Sequence, residues 1–247
     1  MIPRRVAATA VLTSLVMVPR LDAQRLADPQ SRREALALYR TGQQFFSAEK
    51  FDRAAEEFTK ATTRDPLFTL AYYQAGQSYM NLRRYASAIK AFQQTIEATR
   101  ALYGIAQTDR FAVEKERDDE IREMRETINA LQQSGHPLLA TRAEQHLADL
   151  EKQRTSLASG YRPPAEVLLS LGSAHFRNGD RDAAETEWKA AVEVNPRLGE
   201  AHNNLVVVYM QTGRFAQAEA EIKAAEKAGF RVNPQLKEDV RKGLARR

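Results

Sequence analysis

The feature that most restricts this chain is that it repeats itself. A shift of 34 residues lays Gly42 on Gly76, Phe45 on Tyr79, Phe51 on Tyr85, Ala54 on Ala88 and Phe58 on Phe92. The same shift in the last third lays Leu168 on His202, Leu171 on Leu205, His175 on Tyr209, Ala184 on Ala218, Trp188 on Ile222 and Ala191 on Ala225. A fixed period of this size means one supersecondary unit written several times, each leaving an apolar face that only a neighbour can cover. Gly76 and Gly172 lie 96 positions apart, one period and 62 residues more, so two pairs of units flank a 62-residue insertion.

Each unit reads as a helical hairpin. Leu38, Thr41, Gly42 and Phe45 fall on one helical stripe. Gly42 lacks a side chain where the partner helix must come close, Ala54 and Ala61 do the same from the second helix, and Phe45 and Phe58 fill the seam. Pro66 then ends the second helix by removing a backbone donor.

These residues resemble the tetratricopeptide repeat family, whose 34-residue pattern is matched by Leu168, Leu171-Gly172, Ala184, Trp188, Ala191 and Pro196. The resemblance implies an all-α solenoid of about four hairpins, at 35–68, 69–102, 165–198 and 199–232. Arg100 in place of a proline, His175 in place of Tyr and Val206 in place of Gly depart from the pattern. The missing proline lets the second unit's last helix run on into the insertion, residues 103–164. Residues 24–34 are expected to be a flexible lead. Asn233-Pro234 followed by Leu236, Val240 and Leu244 at spacing 4 predicts a capping helix over 233–247, ending in a basic tail.

The insertion reads as an antiparallel helical arm. From Ala101 to Gln133 there is no proline, and Glu114 to Glu126 holds 11 charged residues out of 13, with Lys115–Asp119, Asp118–Arg122 and Arg122–Glu126 at helix-stabilising spacing. That charge run reads as a solvated helical face. Ile121, Met124, Ile128 and Leu131 follow the 3-4-3 spacing of a coiled-coil seam. Ser134-Gly135-His136-Pro137 breaks the chain, and Leu139, Ala143, His146, Leu150 and Leu157 form a weaker stripe coming back, with Gln153 polar among them. The longer side would run about 50 Å at 1.5 Å per residue. So short a seam calls for a docking surface or a second copy of the arm to complete it.

At the N-terminus, Pro3-Arg4-Arg5, an apolar run of 13 from Val6 to Val18, and Leu21-Asp22-Ala23 follow the order of a cleaved secretory signal; an uncleaved anchor is the alternative. Cleavage after Ala23 would give an exported periplasmic or extracellular protein without a membrane span. It would remove three arginines and one aspartate, taking the formal charge from +5 to +3, which weakens any argument for nucleic acid. The absence of cysteine excludes disulfides, thiol nucleophiles and Cys-ligated metals.

No catalytic, metal or cofactor constellation stands out. His136, His146, His175 and His202 read as a turn residue and three partly buried helix residues, and a metal pair from His175 and His202 lacks ligand spacing. There is no Gly-x-Ser-x-Gly and no phosphate-binding glycine loop. The candidate binding residues lie one position beyond each core stripe: Tyr39, Gln43, Phe46; Tyr73, Gln77, Met80; Leu169, Ser173, Phe176; Asn203, Val207, Met210. The resemblance implies that this face lines a concave groove for peptides, and its aromatic, Met and amide character suits an extended or helical apolar segment. The expected function is a non-enzymatic scaffold binding a protein partner, without cofactor or metal. The alternative is a component that self-associates through the arm as a homo-oligomer, and a more distant one is an enzyme with a site near His175.

Overall fold

A computed structural model describes residues 25–155 and 161–245. The proposed signal, the Gln153 side chain, Leu157 and the last two residues of the tail lie outside this description. Among the described residues there are eleven helices and no strand.

Four hairpins form the stack: α1 (Pro29–Ser47) with α2 (Phe51–Arg64), α3 (Thr69–Asn81) with α4 (Tyr85–Ala106), α7 (Ala165–Arg177) with α8 (Arg181–Val194), and α9 (Gly199–Gln211) with α10 (Phe215–Lys227). In the insertion, α5 (Arg110–Gln133) and α6 (Pro137–Thr155) pair with each other, and α11 (Pro234–Ala245) closes the end. α1 starts inside the stretch read as a lead, because Asp28 caps it by accepting from the Gln30 and Ser31 amides. α4 packs on α7 across the insertion, so the stack is continuous.

Glycine and a large ring make the seam of three hairpins. A methyl at Gly42 would stand 2.7 Å from Phe58, at Gly76 2.5 Å from Phe92 and at Gly172 2.6 Å from Trp188. The fourth unit exchanges the sizes. Val206 takes the glycine place and Ile222 the aromatic one, and both are buried in one cluster. Val240 is fully buried and Leu236 and Leu244 pack beside it, so α11 covers the apolar face of the last unit. Each hairpin turns through one left-handed residue at the same repeat position, Glu49, Arg83, Gly179 and Gly213.

The insertion departs from its expected shape. The helix does not run unbroken from Ala101 to Gln133: it ends at Ala106 and restarts at Arg110, with the Asp109 carboxylate accepting from the Ala112 amide at 3.0 Å. The longer side is therefore the 24 residues of α5, about 36 Å at 1.5 Å per residue. The break turns α5 back over the stack.

Candidate partner-binding groove

α5 carries two stripes. Ile121, Met124, Ile128 and Leu131 are buried in one cluster with Ala140, Ala143 and Leu150 of α6 and with Tyr39, Phe46, Leu70 and Ala75 of the first two units. The seam is thus completed by the chain's own repeats, and self-association through it would require undocking. The second stripe is polar: Glu116, Glu120, Glu123 and Thr127 at spacing 4, 3, 4. It corrects the reading of the charge run as a solvated face, since Arg117, Glu120 and Glu123 are buried.

Each polar residue of that stripe meets a partner on the stack. Arg32 of α1 pairs with Asp65 and lies 2.8 Å from Glu116 Oε2, out of line for a hydrogen bond, with its guanidinium over the Phe68 ring. Burial pushes the Glu116 carboxyl up to about 7, against the pull of Arg32. Arg40 donates to both oxygens of Glu123, at 3.1 and 2.7 Å. Gln43 donates to Thr127 and to Tyr39 Oη, and Tyr39 Oη lies 3.3 Å from Thr127 Oγ1. Glu120 accepts from the Thr69 amide at 2.9 Å and its hydroxyl at 2.7 Å, while Arg117 donates to the same carboxylate at 3.0 Å. This caps α3, whose own N-cap, Phe68, has no side-chain acceptor. α6 does likewise for α7, which follows Pro164: Asp149 accepts from the Glu166 amide at 3.2 Å. The His146 ring stacks on Tyr73 at 4.2 Å, and burial, with Arg117 adding to it, holds that imidazole down to about 3 and hence neutral.

Beyond the docked insertion the groove stays open. A cleft of about 260 Å³ lies between α3, α7, α9 and Arg142 of α6. Gln77 and Met80 line it from the second unit, Glu166, Leu169, Ser170, Ser173, Phe176 and Arg177 from the third, and Glu200, Asn204 and Val207 from the fourth. Arg142 donates to Glu200 at 2.6 Å and Gln77 donates to Ser170 Oγ at 3.1 Å. Burial, reinforced by Asp149 and Glu200, pushes the Glu166 carboxyl up to about 8, with Arg142 opposing.

The structure divides the twelve candidate residues. Gln77, Met80, Leu169, Ser173, Phe176 and Val207 meet at the cleft. Tyr39, Gln43, Phe46 and Tyr73 do not belong to an open face. Tyr39 is wholly buried, Phe46 and Tyr73 nearly so, and Gln43 is bonded to α5, because the insertion covers them. Asn203 and Met210 are half-buried outside the cleft, and Asn204 takes the place expected of Asn203. Arg40, Ser170 and Asn204, each one residue beyond that stripe and so about 100° round the helix, join the same face: Arg40 reaches α5, and Ser170 and Asn204 line the cleft beside the stripe residues. A signal for the missed carboxylates was available. Glu166 and Glu200 stand one period apart, where the first two units have Leu36 and Leu70. His175 lies 3.8 Å from Asp180, and His202 is tied to Glu221 at 2.6 Å and to the Pro196 carbonyl at 3.1 Å. The two histidines therefore have separate partners and form no shared site.

Helical hairpins stacked in register define an α-helical repeat scaffold, a class that works through protein–protein interaction. The chain belongs to the tetratricopeptide repeat family, whose model matches residues 39–103 and 169–230 and passes over the insertion between them. Photosystem I assembly protein Ycf3 of Rippkaea orientalis is 35% identical over 60 residues, 24% of this chain and 35% of that protein, so the match spans about a third of the relative's length. Among solved structures, PilW, a type IV pilus biogenesis factor, matches at 14% identity over 85% of this chain and 86% of its own, with a TM-score of 0.40. YrrB, described as a TPR protein with an unusual peptide-binding site, matches at 19% identity over 86% and 95%, with a TM-score of 0.31.

Proposed function

We propose that this chain is a non-enzymatic adaptor that closes the first half of its groove with its own insertion and offers the second half to a segment of a partner protein. The observation that carries the reading is the cleft itself, where Gln77, Ser170, Ser173 and Asn204 surround Met80, Phe176 and Val207. Amides and hydroxyls can meet the main chain of a bound segment, and the Met and Phe surfaces can take its apolar side chains. The filled half shows the principle, since α5 is held there by an apolar stripe beside a polar one. The adaptor acts outside the cytoplasm, on the support of Pro3-Arg4-Arg5, the apolar run Val6 to Val18 and Ala23. A photo-crosslinking amino acid at Val207 in living cells is expected to trap a discrete partner, and the same group at Phe46 is expected to trap none. Equal trapping at both positions, or none at Val207, overturns the reading. Amino-terminal sequencing of the cell-derived protein is expected to begin at Gln24; a chain still beginning at Met1 overturns export.

A further inference from the structure

Resting on that reading of the cleft, we infer that the end of the cleft beside α6 is a receptor for one basic side chain, a lysine or arginine of the bound partner segment, with Glu166 as its counter-ion. Glu166 is 2% exposed yet lines the cleft, and among the described residues its carboxylate takes part in no side-chain hydrogen bond or ion pair. A largely buried carboxyl without an ion-pair partner is costly, so a ligand's cation gains by meeting it where it opens to the cleft.

The surrounding charge points the same way. Arg142 and Asp149 face Glu166 from α6, Glu200 from α9 and the Tyr73 hydroxyl from α3. These three carboxyl groups meet the Arg142 guanidinium, already engaged by Glu200 at 2.6 Å, while Lys152 of α6 acts on Asp149. Asp149 is turned to the Glu166 amide at the start of α7. The remaining acceptor is Glu166, and the nearest polar groups along the cleft, Ser170 and Gln77, can receive further N–H bonds from a guanidinium or ammonium. Arg177 lines the cleft eleven residues further along α7, about 16 Å at 1.5 Å per residue, too far to neutralise Glu166. A cation seated at Glu166 favours its ionised form, so binding displaces the proton that burial keeps on the carboxyl near neutral pH.

The test is selection of displayed random twelve-residue peptides on the full chain at pH 8.5, in parallel with the Glu166→Gln protein. The wild type is expected to enrich sequences with one Lys or Arg among apolar residues, and Glu166→Gln to keep the apolar preference and lose the basic one. For a selected peptide, norleucine in place of its lysine should bind at least tenfold more weakly to the wild type and equally well to Glu166→Gln. The wild-type affinity should fall about twentyfold from pH 8.5 to 6.5, as one proton must be displaced, and the variant's should not. Arg142→Gln removes the competing cation and should bind the basic peptide more tightly, a change of opposite sign that damage to the fold would not produce. Peptides selected without a basic residue, or a basic preference that survives Glu166→Gln, overturn the inference and leave the groove reading standing. Failure to select any peptide overturns the groove reading with it. Binding of calcium or spermidine at this position, with the peptide indifferent to Glu166→Gln, assigns the carboxylates to another cation and also overturns it.

Discussion

The first half of the groove and the second are built from the same hairpin and have opposite fates. In units one and two, Arg40, Gln43 and the capping need of α3 are all answered by α5, through Glu123, Thr127 and Glu120. In units three and four the same repeat positions hold Ser170, Ser173, Asn204 and Val207, which line the cleft, with Glu166 and Glu200 where the first half has Leu36 and Leu70, at the end of the cleft beside α6. The same hairpin scaffold therefore meets its own insertion in one half and borders a cleft in the other, and the difference lies in a few positions of its inner helices.

The largest test of this contrast removes the insertion. Replacing residues 107–163 with a Gly/Ser linker should melt the first two units, because Tyr39, Phe46 and Tyr73 lose their cover and α3 and α7 lose their caps. Circular dichroism with urea should show most of the cooperative transition gone; a chain as stable as the parent would mean that the docking is only superficial. Next in size, Tyr39→Ala and Tyr73→Ala should each cost about 3 to 5 kcal/mol in chemical denaturation, as removal of a buried ring does. Ser173→Ala in the open half should stay within about 0.5 kcal/mol. Similar losses at both places would erase the distinction between covered and open halves.

A smaller effect follows from Glu166. Its folded pKa stands above the ordinary value, so the folded chain holds a proton that the unfolded chain releases, and stability declines as pH rises from about 5 to 8. The Glu166→Gln protein lacks this decline, and the difference between the two should widen by on the order of 1 kcal/mol per pH unit in that window. Parallel curves would show that the carboxyl is better solvated than its burial implies. The smallest change expected concerns the hairpin turns. Glu49 and Arg83 have φ of 57° and 58° where the later units have glycine. Glu49→Gly should raise stability by up to about 1 kcal/mol, the gain from relieved left-handed strain being offset by chain entropy.

Much of the stack was legible in the sequence because its rules are local and periodic. Gly42, Gly76 and Gly172 announce close approach to a ring 16 residues later, and Leu236, Val240 and Leu244 announce a capping helix. The docking of the insertion was not legible, since Glu120 meets Thr69 across 51 residues and no local pattern states which helix a charged stripe will face. Its charge density resembles that of a solvent-exposed face, whereas Glu116 is ion-paired with Arg32 and Glu120 and Glu123 are hydrogen-bonded to Thr69 and Arg40. The groove stripe was legible only in part for a related reason: Tyr39, Gln43, Phe46 and Tyr73 follow the same pattern as Gln77, Leu169 and Ser173, and only the docked insertion decides which of them are covered.

The caps that the insertion lends to α3 and α7 bear on how the molecule comes apart. An ordinary repeat array is coupled only between nearest neighbours, so its ends can fray one hairpin at a time while the rest persists. Here Glu120 holds the second unit, Glu123 the first and Asp149 the third, and α6 reaches the fourth through Arg142 and Glu200. Those ties link hairpins that do not touch, so loss of any one exposes the supports of the others. Amide hydrogen exchange in α1, α3 and α7 should then report a single shared opening free energy, with no gradient falling toward the amino-terminal end.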